Sequence, residues 1–183
     1  MASRASQAPR TPRVEIVHLP AAALHALAAG DLATANAASP VPLTPAFTDP
    51  DWHGVWQLRS RQVDHDPGAL AWVTGAVRDV DAGVCVGRAG FHGPPDENGM
   101  VEVGYAVDES LRRRGYGRAI LAALLARAAV EPEVRVVRAS VGPDNQASLG
   151  LIEEFGFVRV GEQWDEEDGL EYVFELTPPR TAR

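Results

Sequence analysis

Val101-Glu102-Val103-Gly104-Tyr105-Ala106-Val107, followed closely by Arg112-Arg113-Arg114-Gly115-Tyr116-Gly117-Arg118, is the stretch on which the fold turns. The first segment reads as a strand, and period-two alternation puts Glu102, Gly104 and Ala106 on one face. Beyond the second, Ile120, Leu121, Leu124, Leu125 and Ala128 recur at helical spacing, which predicts a helix from Gly115 to Val130. Glycines at such a strand-to-helix step let the backbone approach a bound group, and a helix's first amides point outward without intrahelical partners. Together with the positive end of the helix dipole, that arrangement suits a pyrophosphate. Taken alone, the segment reads equally well as a glycine turn carrying a solvated arginine run, because short glycine motifs are common.

Downstream, Val134 to Val141 reads as a strand, and Asn145 caps a helix whose inward positions are Leu149, Ile152 and Phe155. Gly156 sits where a helix ends in the left-handed conformation. Phe157 to Trp164 and Leu170 to Leu176 form a hairpin around the acidic turn Asp165 to Gly169, which reads first as a solvated turn that aids solubility and, if it borders a cleft, as an attractor of cationic acceptors. Upstream, Val14 to Val17 is a first strand, Pro20 to Ala38 is helical with a break at Gly30-Asp31, and a second helix runs from Asp51 to about Val63. Strands from Ala71 to Val80 and Val84 to Phe91 meet at Asp81-Ala82-Gly83. The order implies a mixed sheet with helices on its faces, an α/β (α+β) domain. A basic tail over 1–13, without fixed structure, one domain over 14–177 and a short tail over 178–183 complete the expected organisation.

The 183 residues suit one domain, and a hydrophobic fraction of 45% is that of an ordinary globular protein. The net charge of −8 argues against a nucleic-acid partner, which needs clustered cations. All 17 basic residues are arginines, a bias of composition rather than of function. Glu15, His18, His25 and Asp31 interrupt the alanine-rich N-terminal stretch, so neither an export signal nor a membrane span is expected, and the chain is assigned to the cytoplasm. Cys85, the single cysteine, lies between valines and reads as a small buried hydrophobe. No residues show convincing metal-ligand spacing, and no metal is expected.

Arg112 to Gly117 has the R-x-x-G-x-G pattern of the GCN5-related N-acetyltransferases, and its surroundings resemble that family too. Val101 to Val107 looks like the family's fourth strand. Asn145-Gln146-Ala147-Ser148, followed by Phe155-Gly156-Phe157, looks like its next block, in the right order and spacing. The resemblance covers about residues 84 to 176. It implies a mixed, mostly antiparallel six- to seven-stranded sheet with helices on both faces, splayed between the fourth and fifth strands. It also implies acetyl-CoA as co-substrate, with pantetheine along Tyr105, Ala106 and Val107. The phosphates would then lie on Arg113, Arg114, Gly115, Tyr116, Gly117 and Arg118, with Arg112 at the rim.

Acetyl transfer to an amine requires removal of a proton from the ammonium, stabilisation of an oxyanion and protonation of the departing thiolate. Glu102, on the face with small Gly104 and Ala106, is a candidate base; a solvent-facing glutamate is the alternative. Many family members carry a tyrosine acid at the position of Ile152. This chain instead has Asn-x-x-Ser, resembling the ribosomal-protein N-terminal acetyltransferase branch, where that serine is the acid. Ser148 is therefore either the acid or an ordinary first-turn serine. Asn145 is a cap, a cofactor-site orienter, or both. Asp64-His65-Asp66 reads as a polar loop, His92 and His53 as candidate acceptor-site residues or structural histidines, and Trp52 and Trp56 as core or pocket roof. The resemblance implies an amine acceptor, a peptide N-terminus or a small molecule, and leaves a homodimer open; a silent acyl-CoA-binding module is the alternative from another class.

Overall fold

Residues 11–166 and 169–179 are described by a computed structural model. β1 (Val14–Val17) leads to α1 (Ala21–Ala28) and α2 (Leu32–Ala38), which break at Gly30, where φ is +73°. Asp31 caps α2 by accepting from the Thr34 amide at 2.9 Å. Two short 3-10 turns precede α3 (His53–His65), and β2 (Gly75–Asp79) and β3 (Cys85–Phe91) form the first hairpin. β4 (Met100–Val107), α4 (Tyr116–Val130), β5 (Val136–Val141) and α5 (Gln146–Glu154) follow, then the hairpin of β6 (Val158–Asp165) and β7 (Gly169–Leu176). Glu167 and Asp168 of the acidic turn lie outside the described residues, as do 1–10 of the N-terminal tail. Arg13 is paired with Asp81 at 3.1 Å.

One sequence expectation is corrected here. The strand expected from Ala71 begins only at Gly75, because Pro67–Ala71 forms a 3-10 turn instead. Asp66 caps that turn by accepting from the Gly68 amide at 2.9 Å, and Pro67 supplies a preset φ at its first position.

The seven strands order as β1-β2-β3-β4-β5-β7-β6, and β4–β5 is the one parallel pair in this ladder. Opposite sides of the sheet feed separate cores. Val77 and Val86 join Ile120, Leu121, Leu124 and Ile152 from α4 and α5. Their chain neighbours Ala76 and Cys85 join Leu24, Leu27 and Trp56 from α1 and α3. A period-two strand gives each side chain to the opposite face from the next, so the sheet is covered by helices on both sides. Cys85 is buried as expected, and that burial pushes its thiol up, away from the nucleophilic thiolate.

The splay positions the site. β4 and β5 pair only at Met100↔Val136, Val101↔Val137 and Glu102↔Arg138. Past Glu102 the two strands diverge, while β4 stays paired to β3 residue for residue from Phe91↔Val103 to Gly87↔Val107. No bulge interrupts that ladder, so the alternation read from the sequence survives through Glu102, Gly104 and Ala106.

Candidate active site

The loop between β4 and α4 is built by local conformations. Arg112 Nε donates to the Val107 carbonyl at 3.2 Å, Arg113 takes a left-handed φ of +61°, and Gly115 another of +86°. These turns aim the start of α4 at solvent. The first α4 amide with a helical partner is that of Ala119, bonded to the Gly115 carbonyl at 3.1 Å. The amides of Gly115, Tyr116, Gly117 and Arg118 find no backbone partner among the described residues. That is a nest for an anion, backed by the exposed side chains of Arg113 and Arg114.

Two expected phosphate residues use their side chains elsewhere. The Tyr116 hydroxyl donates to Asp79 Oδ2 at 2.7 Å, and that bond is the main cause pushing its phenol up. Arg118 pairs with Glu154 and lies 5.7 Å from the Phe155 ring centroid. Both side chains brace the start of α4 and offer the loop their backbone amides.

A cavity of about 840 Å³ occupies the gap between the splayed strands. Glu102 to Tyr105 line one wall, Ala139 to Gly142 the other, and Asn145, Ser148 and Ile152 of α5 close one side. Asn145 acts as the expected cap, its Oδ1 accepting from the Ser148 amide at 3.1 Å, and Ser148 lines the cavity. The Tyr105 hydroxyl oxygen is buried without a hydrogen bond of good geometry. Burial pushes that phenol up, and Ser148 is the side chain that pulls it back. Tyr105 thus brings a side chain as well as a backbone to the cleft.

At the other end of the cavity stands Glu102, with 18% of its side chain exposed. Ser140 Oγ donates to Glu102 Oε1 at 2.6 Å, and Gln163 Nε2 donates to Ser140 Oγ at 3.2 Å and to Glu171 Oε2 at 3.0 Å. His92 Nδ1 lies 3.8 Å from Glu102 Oε2. Burial holds the His92 ring below its ordinary range, with Glu102 opposing and Arg59 adding to the depression. Arg59 is itself buried and pushed down to about 10, still cationic at neutral pH.

The chain reading missed Ser140 and Gln163. No local signal marks them, because both matter only through strand pairing. His92 is brought into the site, whereas His53 meets Gln57 at 2.8 Å on the surface. Asp64 pairs with His25 and Asp66 caps a turn, so that cluster is taken up structurally. The two tryptophans divide: Trp56 is fully buried, its Nε1 donating to the Phe47 carbonyl at 2.6 Å, while Trp52 lines the cavity. Among the described residues no group of three or more His, Cys, Asp or Glu could hold a metal ion, and no helix is long and apolar enough to cross a membrane.

The model of the acetyltransferase (GNAT) family matches residues 36–157, well over half the chain and including β4, the glycine loop and α5. The chain belongs to the GNAT acetyltransferase family. An uncharacterized N-acetyltransferase, YjdG, of Bacillus subtilis (strain 168) is 40% identical over 73 residues, which are 40% of this chain and 44% of that protein. The chain is thus aligned to less than half of that relative's length. Among solved structures, the ribosomal-protein-S5-alanine acetyltransferase of Vibrio fischeri superposes with a TM-score of 0.59 at 15% identity, covering 92% of this chain and 94% of that one. A spermidine N-acetyltransferase SpeG chimera from Vibrio cholerae and hSSAT superposes at 0.61 and 15%, covering 91% and 96%. These likenesses establish the GNAT fold. Within it, the cavity reaches along β4 to Tyr105, and the loop amides lie just past the end of the same strand, with Pro12 beside Gly115 and Leu151 beside Gly117. The residues present therefore fit a nucleotide-linked thioester.

Proposed function

We propose that this GNAT chain transfers acetyl from acetyl-CoA to a primary amine by direct attack in a ternary complex, with a protein or peptide N-terminus as acceptor. The observation that carries the proposal is the splay after Glu102↔Arg138, with a carboxylate where the gap begins and an amide nest in the loop that follows the strand forming its wall. The nest amides of Gly115 to Arg118 would hold the pyrophosphate, with Arg113 and Arg114 adding charge, and the β4 edge that β5 leaves at Tyr105, Ala106 and Val107 would pair with pantetheine. Holding both reactants in one cleft makes attack effectively intramolecular. Glu102 serves proton removal, a backbone amide near Ala106 meets the oxyanion, and Ser148 delivers a proton to the thiolate. Asn145 keeps Ser148 in place through its cap.

The peptide acceptor is supported by the Asn-x-x-Ser pattern, whose serine faces the cavity. A small cationic amine is the second reading, favoured by Asp144 and Glu171 on the same wall as Trp164. Cytoplasmic location and a homodimer belong to the proposal as well, the latter checked by sedimentation velocity. Free-thiol formation from acetyl-CoA, measured over peptides of different N-termini, polyamines and aminoglycosides, tests the function. Turnover with peptides alone is the expected result; binding without turnover for any amine would leave a silent acyl-CoA-binding module.

A further inference from the structure

Glu102 is poorly exposed for meeting a substrate, and a neighbour is better placed. Its Oε1 is taken by Ser140 and its Oε2 faces His92. The His92 side chain, by contrast, keeps 49% of its surface exposed and lines the cavity, although the protein packed around it still partly desolvates the ring. Its backbone is pinned from two elements: its amide donates to the Glu102 carbonyl at 2.8 Å, and its carbonyl accepts from Arg59 at 2.9 Å and Gln62 at 2.8 Å. The ring lies over Gly104, where an added Cβ would come within 2.9 Å of Nε2. Gly104 is thus small to admit this ring, two residues past the last pair that joins β4 to β5. With Nδ1 turned to a carboxylate, Nε2 is left toward the cavity, the division of labour of a histidine base oriented by an acid.

We propose that His92 is the group that takes the proton from the acceptor ammonium, and that Glu102 is its positioning residue. The inference rests on the acyltransferase reading. The neutral Nε2 accepts one ammonium proton, and the amine lone pair forms the N–C bond to the thioester carbonyl. The C–S bond breaks, the second proton lost by nitrogen goes to the departing thiolate, and the imidazolium, held by Glu102, returns its proton to water. A separation of 3.8 Å is long for the His92–Glu102 bond, but such bonds often tighten only when substrate is bound.

The test compares His92→Gln, His92→Ala and Glu102→Gln in the full chain. His92→Gln should lower kcat by about 10²–10⁴-fold with acetyl-CoA affinity unchanged by calorimetry, and should lose the ascending histidine limb of the kcat–pH profile. Glu102→Gln should keep that limb but displace it to lower pH, because burial and Arg59 then act on the ring without the opposing carboxylate. Added imidazole should restore turnover to His92→Ala, whose missing ring leaves space above Gly104, and leave Glu102→Gln unchanged. A His92→Gln variant that turns over within a few-fold of wild type, or keeps the limb, overturns the assignment while the acetyltransferase reading stands. A wild-type chain that releases no thiol with any amine overturns both.

Discussion

Glu102 and Ser148 stand at opposite ends of the cavity, and the difference in their chemistry predicts a difference in cost. Attack requires a neutral amine, whereas a thiolate is already a good leaving group. Glu102→Gln keeps the shape and the bond from Ser140 while removing the charge that positions His92, so kcat should fall at constant acetyl-CoA affinity, by less than in His92→Gln. Ser148→Ala should lower kcat less. The buried Tyr105 hydroxyl, acted on by Ser148, makes Tyr105→Phe informative: if that phenol feeds the serine's proton, Ser148→Ala and Tyr105→Phe should be non-additive in steady-state kinetics.

Elements rather than single groups bring the phosphate site about, because α4 has to begin where it does. Gly115 at φ +86° sets the entry angle, and an added Cβ would come within 3.2 Å of Pro12 Cδ. Gly115→Val forces a β-branched residue into a left-handed conformation costing about 1–2 kcal/mol, and swings the free amides away. Acetyl-CoA affinity measured by calorimetry should drop at least tenfold, with a folded circular dichroism spectrum. Gly117 is different: a Cβ there meets only Leu151 Cδ2 at 3.6 Å, an ordinary contact. Gly117→Ala should bind nearly as wild type, while Gly117→Glu, bringing a negative charge to the nest, should not bind. In the strands, Gly90 is a packing glycine, since a Cβ would lie 2.7 Å from Thr74 backbone. Gly90→Ala should lower urea-denaturation stability by about 1–3 kcal/mol, the usual range for overpacking.

Across the whole molecule, a buried ion pair ties the N-terminal half to the splayed strand. Arg88 of β3 and Asp108, the residue after β4, are both buried with N to O at 3.6 Å. Arg88 also donates to the Ala46 carbonyl at 3.0 Å and lies 3.9 Å from the Trp52 ring centroid, while Thr44 Oγ1 donates to Asp108 at 2.7 Å. The loop carrying Trp52 into the cavity is therefore held by the strand pair that forms the cavity wall. Asp108→Ala strands the guanidinium in the interior and should cost about 3–5 kcal/mol in urea denaturation. It should also raise the acceptor KM through displacement of Trp52, with a smaller change for acetyl-CoA, because Asp108 meets the glycine loop through its backbone carbonyl, which the substitution keeps.

What the sequence by itself determined is whatever is encoded within a turn or two of chain. The glycine loop, the Asn145 cap, the end of α5 at Gly156 and the face shared by Glu102, Gly104 and Ala106 each depend on φ restrictions or periodicity acting over a few residues. The start of β2 departs from the sequence pattern for the same reason in reverse: hydrophobic Ala71 to Val73 looks extended, yet Val73 bonds back to the Ala69 carbonyl inside the turn that Asp66 caps. Only the tertiary structure decided the acceptor end of the site. The Ser140–Glu102 bond joins residues 38 positions apart, and it exists because β5 crosses over to lie parallel beside β4. The His92 ring comes to rest over Gly104 because β3 and β4 pair across the hairpin that ends at Phe91↔Val103. Strand pairing at long range sets such contacts, and a residue's own neighbours in sequence carry no trace of its partner across the sheet.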